Sequence, residues 1–364
     1  MIAQTDLFNA RSSPNTQPSS RILATRKRGA TFVAHKIKSV INPPESTGMG
    51  FWSLNPYVGC EFGCTYCYAR YAHRYTVERT GQKGGLPNSK ADGSTWNAFE
   101  RQIFVKQRDA VLEALERDLP KIVKRRSRLH QPTIVIGTAT DSYQPAERSF
   151  EITRTVLERL KEERDLAIGF ITKSPLITRD IDLLLELQQK NRVSIYISLI
   201  STDPEIIRRF EARSPMPHVR IRTLHDLIAA GLNAGCIVAP ILPQITDTVP
   251  QIRALAEAVK DAGGRFAHPT PLRLYPAIHS GFLPVIERYY PDLYPKYRRV
   301  YRGAGIVSAS YTEALVRRFR RIAASFDIPV RDPVLDSSTF RYNSRTTPTC
   351  NKNTSKQIQL ELQQ

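Results

Sequence analysis

The sequence predicts an α/β protein whose main domain is a partial (β/α)6 TIM-like barrel. Six short apolar segments rich in β-branched residues are the first observation, at 52–58, 133–137, 167–172, 193–199, 235–240 and 266–274. Four segments with apolar residues at helical spacing lie between them, at 151–161, 178–189, 218–230 and 249–262. Strands that alternate with helices are typical of βαβ units and a parallel sheet. Six strands are too few for a closed eight-stranded barrel, so we expect an open one.

The order of these segments also predicts where a site should lie. Crossover connections between parallel strands are right-handed, so the helices are expected to pack on the outer face of the sheet. Helical spacing is clearest at Ile181, Leu184, Leu185 and Leu187. Ligands of such folds gather at the carboxyl ends of the strands. Polar residues that directly follow a predicted strand are therefore the first candidates for function.

The chain of 364 residues divides into four predicted regions. Residues 1–44 are polar, carry the basic run Arg26-Lys27-Arg28 and contain few large apolar side chains, which predicts a mobile basic arm. The core spans 45–280. Residues 281–342 form an aromatic and basic C-terminal extension, expected to be helical against the core, and 343–364 form a polar tail.

Composition indicates a globular protein of a reducing compartment. Hydrophobic residues make up 41% and charged residues 24%, which excludes disordered and fibrous classes. Neither a run of about 18 apolar residues nor a secretory signal is visible, so no membrane association is predicted. The five cysteines are odd in number, and three lie within eight positions, which favours a metal site over disulfides. The expected location is the cytoplasm.

The formal net charge of +19 predicts attraction to polyanions, of which nucleic acid is the commonest. The alternative is a basic surface that only keeps the protein soluble. Basic and aromatic residues alternate in the extension, from Arg288-Tyr289-Tyr290 to Tyr301-Arg302, and could neutralise phosphates and stack on bases. A second basic run, Arg317-Arg318-Phe319-Arg320-Arg321, is explained equally well as the wet face of a helix.

The strongest motif is the segment from Asn55 to Tyr68, in which Cys60, Cys64 and Cys67 have the spacing C-x3-C-x2-C. Thiolates are the usual ligands of iron-sulfur clusters, and short spacings let one loop hold three corners of a cuboidal cluster. Three ligands leave one iron open to a ligand from outside the protein, as in catalytic metal sites. The alternatives are a structural zinc ion, which would want a fourth ligand such as His73, and three unrelated cysteines. Cys236 and Cys350 are isolated and are not expected to bind metal.

With an aromatic residue, Tyr66, before the last cysteine, this motif resembles that of the radical S-adenosylmethionine (SAM) superfamily. The resemblance implies a [4Fe-4S] cluster whose open iron binds SAM and whose electron cleaves it to a 5'-deoxyadenosyl radical. It also implies a reductant such as a flavodoxin or ferredoxin as partner. The fold usual in this superfamily, a partial (β/α)6 barrel, agrees with the strand count. The alternatives are an iron-sulfur electron carrier and a metal-stabilised nucleic-acid-binding protein without catalysis.

Further segments are similar to the group related to spore photoproduct lyase, often named DNA repair photolyase-like. They are 137–147, 171–174, 210–215 and 239–243. The resemblance implies lyase-type chemistry and a hydrogen-relay role for Tyr66 and Tyr68, which otherwise would only pack beside the cluster. The chain departs from the lyase in having no cysteine over 137–141, where Thr138 is nearest. Spore photoproduct repair as such is therefore not predicted, and the substrate stays open.

Eight polar residues after the strands are the ones that the resemblance implies for SAM binding: Thr140, Asp141, Ser142, Lys173, Ser174, Ser198, Ser201 and Arg213. The first three would face the amino group, and the two serines of the fourth strand the ribose. A lysine or a guanidinium suits the carboxylate. Each also has a plain structural explanation: a turn and helix start at 141–147, a solvated lysine at a strand end, and a surface ion pair of Arg213 with Glu211.

Overall fold

The computed structural model describes residues 21–25, 29–70, 73, 76, 95–125, 132–303 and 305–332. Within these ranges the strands are β1 Ile22–Thr25, β2 Thr31–His35, β3 Ile41–Asn42, β4 Trp52–Leu54, β5 Tyr57–Val58, β6 Gln102–Lys106, β7 Thr133–Ile136, β8 Ala167–Thr172, β9 Arg192–Ser198, β10 Ala234–Ile241 and β11 Ala267–Pro271. The helices are α1 Pro44–Thr47, α2 Thr95–Arg101, α3 Arg108–Val123, α4 Glu147–Phe150, α5 Ile152–Leu160, α6 Ile181–Lys190, α7 Pro204–Phe210, α8 Pro217–Ala229, α9 Val249–Asp261, α10 His279–Tyr289, α11 Tyr294–Val300 and α12 Ala309–Ala324.

The main sheet has the strand order β11-β10-β9-β8-β7-β4-β3. The six strands from β4 to β11 in this order pair in parallel, and only β3 is antiparallel, against β4. All six predicted strands are therefore present, in the order that a partial (β/α)6 barrel requires. The segment 52–58 differs in detail, because β4 and β5 are separate strands that belong to different sheets.

The helices cover one face of this sheet because each carries an apolar stripe. In α9 the buried residues Ile252, Leu255, Ala256 and Val259 recur at helical spacing, and a proline at the start of the helix occupies a position where no N–H is needed. On the opposite face a separate buried cluster forms from Ala167, Tyr196, Ile237 and Phe266. We call this second face the inner face of the sheet.

A second sheet, of order β1-β2-β6-β5, corrects the prediction of a mobile arm over 1–44. Strand β2 pairs in parallel with β6, and β1 pairs antiparallel with β2. Phe32 and Val33 are buried, so these few apolar side chains suffice once partner strands supply their hydrogen bonds. Residues 1–20 and 26–28, including the basic run, lie outside the described residues.

The extension contains α10, α11 and α12, as predicted for a helical segment. Its aromatic residues are not the exposed platform that the interleaved pattern suggested. Tyr297 and Tyr301 are buried and stack on each other, and Tyr297 also packs on Phe282. Tyr289, by contrast, is 41% exposed. The tail 343–364, with Cys350, lies outside the described residues.

The second basic run has the simpler explanation. In α12, Leu315, Phe319 and Ile322 are buried, whereas the arginines between them lie on the outer side of the helix. Among the described residues no helix is both long and apolar enough to cross a bilayer.

Candidate active site

The three cysteines lie in a tight loop that directly follows β5. Two backbone turns shape this loop, because the Gly63 N–H donates to the Cys60 carbonyl and the Cys67 N–H to the Cys64 carbonyl, each at 3.2 Å. Cys60 and Cys64 are buried, and Cys67 is half-buried. We call residues 59–67 the cysteine loop.

The thiols of this loop fit an iron-sulfur cluster. Burial raises the pKa of all three, that of Cys64 to about 11, and the negative charges of Cys64 and Cys67 further raise that of Cys60, so the sulfur atoms are near one another. A bound metal reverses this effect by taking the thiol as thiolate. In the described part of the chain no three Cys, His, Asp or Glu side chains converge on a single ion. The arrangement thus suits one thiolate for each of three irons and does not suit the zinc alternative.

Glycine is required at the start of the cysteine loop. Gly59 has φ of 88°, and a Cβ on it would lie 2.8 Å from the carbonyl oxygens of Phe99 and Gln102. The Cys60 N–H donates to the same Phe99 carbonyl at 3.0 Å. The second sheet and α2 therefore form one wall of the loop.

A buried arginine braces the other side of the loop. Arg70 donates to the carbonyls of Gly63 and Cys64, both at 3.2 Å, and pairs with Glu100 at 2.9 Å. Its guanidinium also lies 5.0 Å from the centre of the Phe99 ring. Sequence analysis did not select Arg70, although a charged residue three positions after the last cysteine was a signal.

Thr140 contacts the cysteine loop. Its hydroxyl donates to the Gly59 carbonyl at 2.6 Å, and Gln144 donates to the same oxygen at 3.2 Å. Gln144 in turn accepts the Glu61 N–H at 2.9 Å. Gln144, which was not predicted, thus joins the loop after β7 to the cysteine loop.

Asp141 connects two strand ends. Its carboxylate accepts from the Thr172 hydroxyl and from the backbone N–H of Lys173, both at 2.7 Å, and from the Tyr143 N–H at 2.9 Å. The last contact is the turn that the structural explanation of Asp141 required. Burial raises the pKa of Asp141. Ser142 is buried beside it, and its carbonyl accepts from Thr153 at 2.6 Å.

Lys173 is the predicted residue whose side chain turns toward the cysteine loop. Its ammonium lies 5.9 Å from the centre of the Tyr66 ring. Burial would lower its pKa, but the charges of Cys64 and Glu211 outweigh burial and raise it. The solvated-lysine alternative is therefore wrong, because Lys173 is a half-buried cation among anionic groups. Ser174 has a different role, since its hydroxyl accepts the Leu176 N–H and caps the helical turn 175–180.

A histidine that sequence analysis missed lies on the inner face of the sheet. His268 pairs with Ile237, which pairs with Ser198, and neighbours in parallel register point to the same face. Continuing the register of β8 and β9 by one residue places Lys173 beside Ser198. The row Lys173, Ser198, Ile237, His268 thus crosses the sheet near the carboxyl ends of its strands. The signal was the strict alternation of β11, in which His268 falls between two buried residues.

Ser201 and Arg213 lie apart from this row. The Ser201 hydroxyl donates to Gln251 at 2.7 Å and accepts the Asp203 N–H at 2.9 Å. Arg213 is exposed. The predicted ion pair of Arg213 with Glu211 is wrong, because Glu211 is fully buried and pairs with Arg220 instead.

Arg220 is the buried guanidinium of the site. It pairs with Glu211 and donates to the carbonyls of Ser198 at 2.9 Å and of Pro215 at 2.8 Å. Burial alone would raise the pKa of Glu211, but Arg220 and Lys173 hold it below its usual value. The Tyr66 hydroxyl donates to the same carboxylate. The Tyr68 hydroxyl donates to the Thr138 carbonyl.

Comparison with known proteins places these features in a family. The sequence profile of the Radical SAM superfamily matches residues 54–256, which is more than half of the chain. The chain belongs to the radical SAM superfamily. This superfamily uses a [4Fe-4S] cluster and SAM, and both are cofactors of this radical SAM enzyme.

The relatives of this radical SAM enzyme show the extent of the match. An uncharacterized protein of Mycobacterium tuberculosis is 30% identical over 300 residues, which are 82% of this chain and 82% of that protein. An uncharacterized protein of Methanocaldococcus jannaschii is 25% identical over 212 residues, covering 58% of this chain and 68% of that protein. Among solved structures, spore photoproduct lyase with bound AdoMet and dinucleoside spore photoproduct has a TM-score of 0.56 at 16% identity, covering 87% of this chain and 85% of the lyase. At this identity the likeness concerns the fold.

Proposed function

We propose that this radical SAM enzyme holds its cluster through Cys60, Cys64 and Cys67 and cleaves SAM reductively to a 5'-deoxyadenosyl radical. The observation that carries the proposal is the cysteine loop, which gathers three buried thiols beside Lys173 at the carboxyl end of a parallel sheet. When bound, the reduced cluster supplies the electron that cleaves SAM, and its open iron takes the methionine end of SAM. A reductant such as a flavodoxin or ferredoxin delivers that electron.

Lys173 is the residue that we assign to the SAM carboxylate. It is a half-buried cation near the cysteine loop, and burial strengthens a charge-assisted contact. Asp141 fixes the backbone of Lys173 and leaves its ammonium free to turn toward the ligand. Ser198 lies beside Lys173 in the same row and suits the ribose. Thr140, Ser142, Ser174 and Ser201 support the site through the contacts described above, whereas Arg213 has no place in it.

Lyase-type chemistry is supported by the two tyrosines. Tyr66 and Tyr68 flank Cys67 in sequence, and each donates its hydroxyl hydrogen to an acceptor fixed by the fold. A phenol held in this way is positioned to pass a hydrogen atom between the substrate and the protein. Tyr66 is the better placed of the two, because its acceptor Glu211 is itself held by Arg220.

The substrate class that we favour is nucleic acid. Tyr289 is exposed, and the guanidinium groups of Arg209 and Arg288 lie 5.1 Å and 5.2 Å from its ring centre. An aromatic ring flanked by two cations can stack on a base while the cations neutralise phosphates. Arg209 precedes Phe210, whose carbonyl accepts the backbone N–H of Thr65 in the cysteine loop at 3.0 Å. The spore photoproduct lyase to which the fold is similar holds a dinucleoside photoproduct.

SAM cleavage tests the catalytic part of the proposal. Anaerobically reconstituted, reduced protein is expected to release methionine and 5'-deoxyadenosine, whereas an electron carrier or a binding module would release neither. Alanine at Cys60, Cys64 or Cys67 should abolish both cluster and products. Alanine at Cys236 or Cys350 is the matched control and should leave iron and sulfide content unchanged. Full iron loading without Cys64 would show that the ligands are misassigned.

Salt-dependent binding tests the nucleic-acid part. Arg288→Gln should weaken binding to single-stranded oligonucleotides and flatten the dependence of log affinity on log salt by about one, because one phosphate contact is lost. Arg298→Gln/Arg299→Gln removes two further exposed cations of the extension and should lower the slope similarly. Arg317→Gln, on the outer side of α12 and paired with Glu313, is the control. Equal slopes in all variants would favour a protein or small-molecule substrate.

A further inference from the structure

The segment 210–215 contacts three consecutive residues of the cysteine loop. The Phe210 carbonyl accepts from the backbone N–H of Thr65 at 3.0 Å and from its hydroxyl at 3.3 Å. The next residue, Glu211, accepts from the Tyr66 hydroxyl. Ser214 reaches Cys64, with 3.8 Å between Oγ and Sγ. This segment therefore determines where the central cysteine of the motif lies.

The contact between Ser214 and Cys64 is buried and rigidly supported. Ser214 is 4% exposed and Cys64 is 7% exposed, so water does not compete strongly for either group. The Ser214 N–H donates to the Glu211 carbonyl at 2.9 Å, which closes the turn between them. Arg220 holds both ends of this turn through the Glu211 carboxylate and the Pro215 carbonyl.

Metal binding fixes the direction of this hydrogen bond. Between a thiol and a hydroxyl either group can be the donor, but a cysteine that ligates iron is a thiolate and has no proton to donate. Ser214 must then be the donor and the Cys64 sulfur the acceptor. A hydrogen bond to a ligand sulfur stabilises the more negative, reduced form of an iron-sulfur cluster and so raises its reduction potential.

We propose that Ser214 is a positioning residue that donates a hydrogen bond to the Cys64 thiolate and thereby makes the cluster easier to reduce. The inference rests on Cys64 being a cluster ligand. No proton leaves Ser214 in this role, since the added electron resides on the cluster. Lys173 acts in the same direction by its positive charge, whereas the negative charge of Glu211 opposes both and is largely offset by Arg220.

Potentiometric titration of the SAM-free reconstituted protein, followed by electron paramagnetic resonance of the reduced cluster, tests the proposal. Ser214→Ala should shift the midpoint potential to more negative values, by up to the equivalent of a tenfold weaker affinity for the electron, about 59 mV for a one-electron couple. Ser194→Ala is the matched control, because it removes an equally buried hydroxyl whose partner is Asn233. Its potential should equal that of the unchanged protein.

The pair Ser214→Thr and Ser214→Val separates the hydroxyl from the volume of the side chain. The two variants have nearly the same shape, and only threonine can donate to Cys64. Threonine should retain the original potential, and valine should show the negative shift or lose the cluster while threonine keeps it. Equal potentials in the two variants, or equal loss of cluster from both, would overturn the role of Ser214. Absence of iron from the unchanged protein would instead overturn the assignment of the cysteine ligands.

Discussion

At the scale of single residues, the site depends on charged groups that are buried and paired. Lys106 is buried and donates to the Asn55 carbonyl at 2.5 Å, and burial lowers its pKa to about 8. His73 is buried between Phe99 and Phe104, and its Nε2 lies 3.0 Å from the Gln102 carbonyl. A carbonyl only accepts, so Nε2 carries the proton and the ring is neutral. Both side chains support the wall behind the cysteine loop.

His73 predicts a pH dependence of stability. Burial lowers its pKa from 6.5 to about 4, and the positive charge of Arg70 acts in the same direction. The unfolded chain therefore binds more protons between these values, so stability is lost as pH falls from 6.5 toward 4, by up to about 1.4 kcal/mol per pH unit. His73→Gln keeps a donor for the Gln102 carbonyl and should reduce the slope by that amount in urea titrations of the cluster-free protein. A slope equal to that of the unchanged protein would mean that His73 is protonated in the fold.

At the scale of elements, Arg220 ties α8 to the end of β9 and to the turn after α7. Its three groups of contacts reach Ser198, Glu211 and Pro215. A similar junction joins α4 and the start of α5 to the second sheet, since Glu147 accepts from Tyr57, from the Thr153 N–H and from Arg179. In both cases one buried carboxylate connects elements that are distant in sequence.

The Arg220 junction predicts a large loss of stability. Arg220→Leu leaves the Glu211 carboxylate buried without its cation, which costs about 3 to 5 kcal/mol. The double variant Arg220→Leu/Glu211→Leu removes both charges and should regain most of that loss. Arg213→Leu is the matched control, because Arg213 is exposed and should change stability by no more than about 0.5 kcal/mol. Urea unfolding of cluster-free protein measures all three, and a small effect of Arg220→Leu would contradict the ion pair.

At the scale of the whole molecule, the last described residues close the end of the sheet opposite to the cysteine loop. The Ala267 N–H donates to the Pro329 carbonyl at 2.9 Å. Asp332 accepts from the Tyr196 hydroxyl at 2.5 Å and from Asn233 at 3.3 Å. Tyr196 belongs to the inner face, so the chain's C-terminal part completes the packing of the core from below.

This closure predicts that Asp332 contributes to global stability. Asp332→Ala removes a buried acceptor from Tyr196 and should cost about 1 to 3 kcal/mol. Asp327→Ala serves as control, because Asp327 is 89% exposed at its side chain and its pair with Lys260 contributes little. Thermal or urea unfolding should separate the two variants clearly. Equal stabilities would mean that the inner face does not depend on its lower contacts.

The sequence by itself determined the features that depend on neighbours along the chain. The cysteine spacing predicted the thiol loop because three ligands of one cluster come from eight consecutive residues. The six strands of the parallel sheet were predicted because buried strands are short, continuous apolar runs. These signals are local, and local signals can be recognised without a tertiary structure.

Only the tertiary structure decided which distant groups meet. Glu211 pairs with Arg220 and not with the nearer Arg213, because α8 turns Arg220 into the core. The aromatic residues Tyr297 and Tyr301 are buried although their basic neighbours suggested a surface. His268 and Ser214 joined the site only when strand register and a turn placed them there. The physical reason is that burial and pairing depend on how elements pack, and residue order does not encode that packing at any single position.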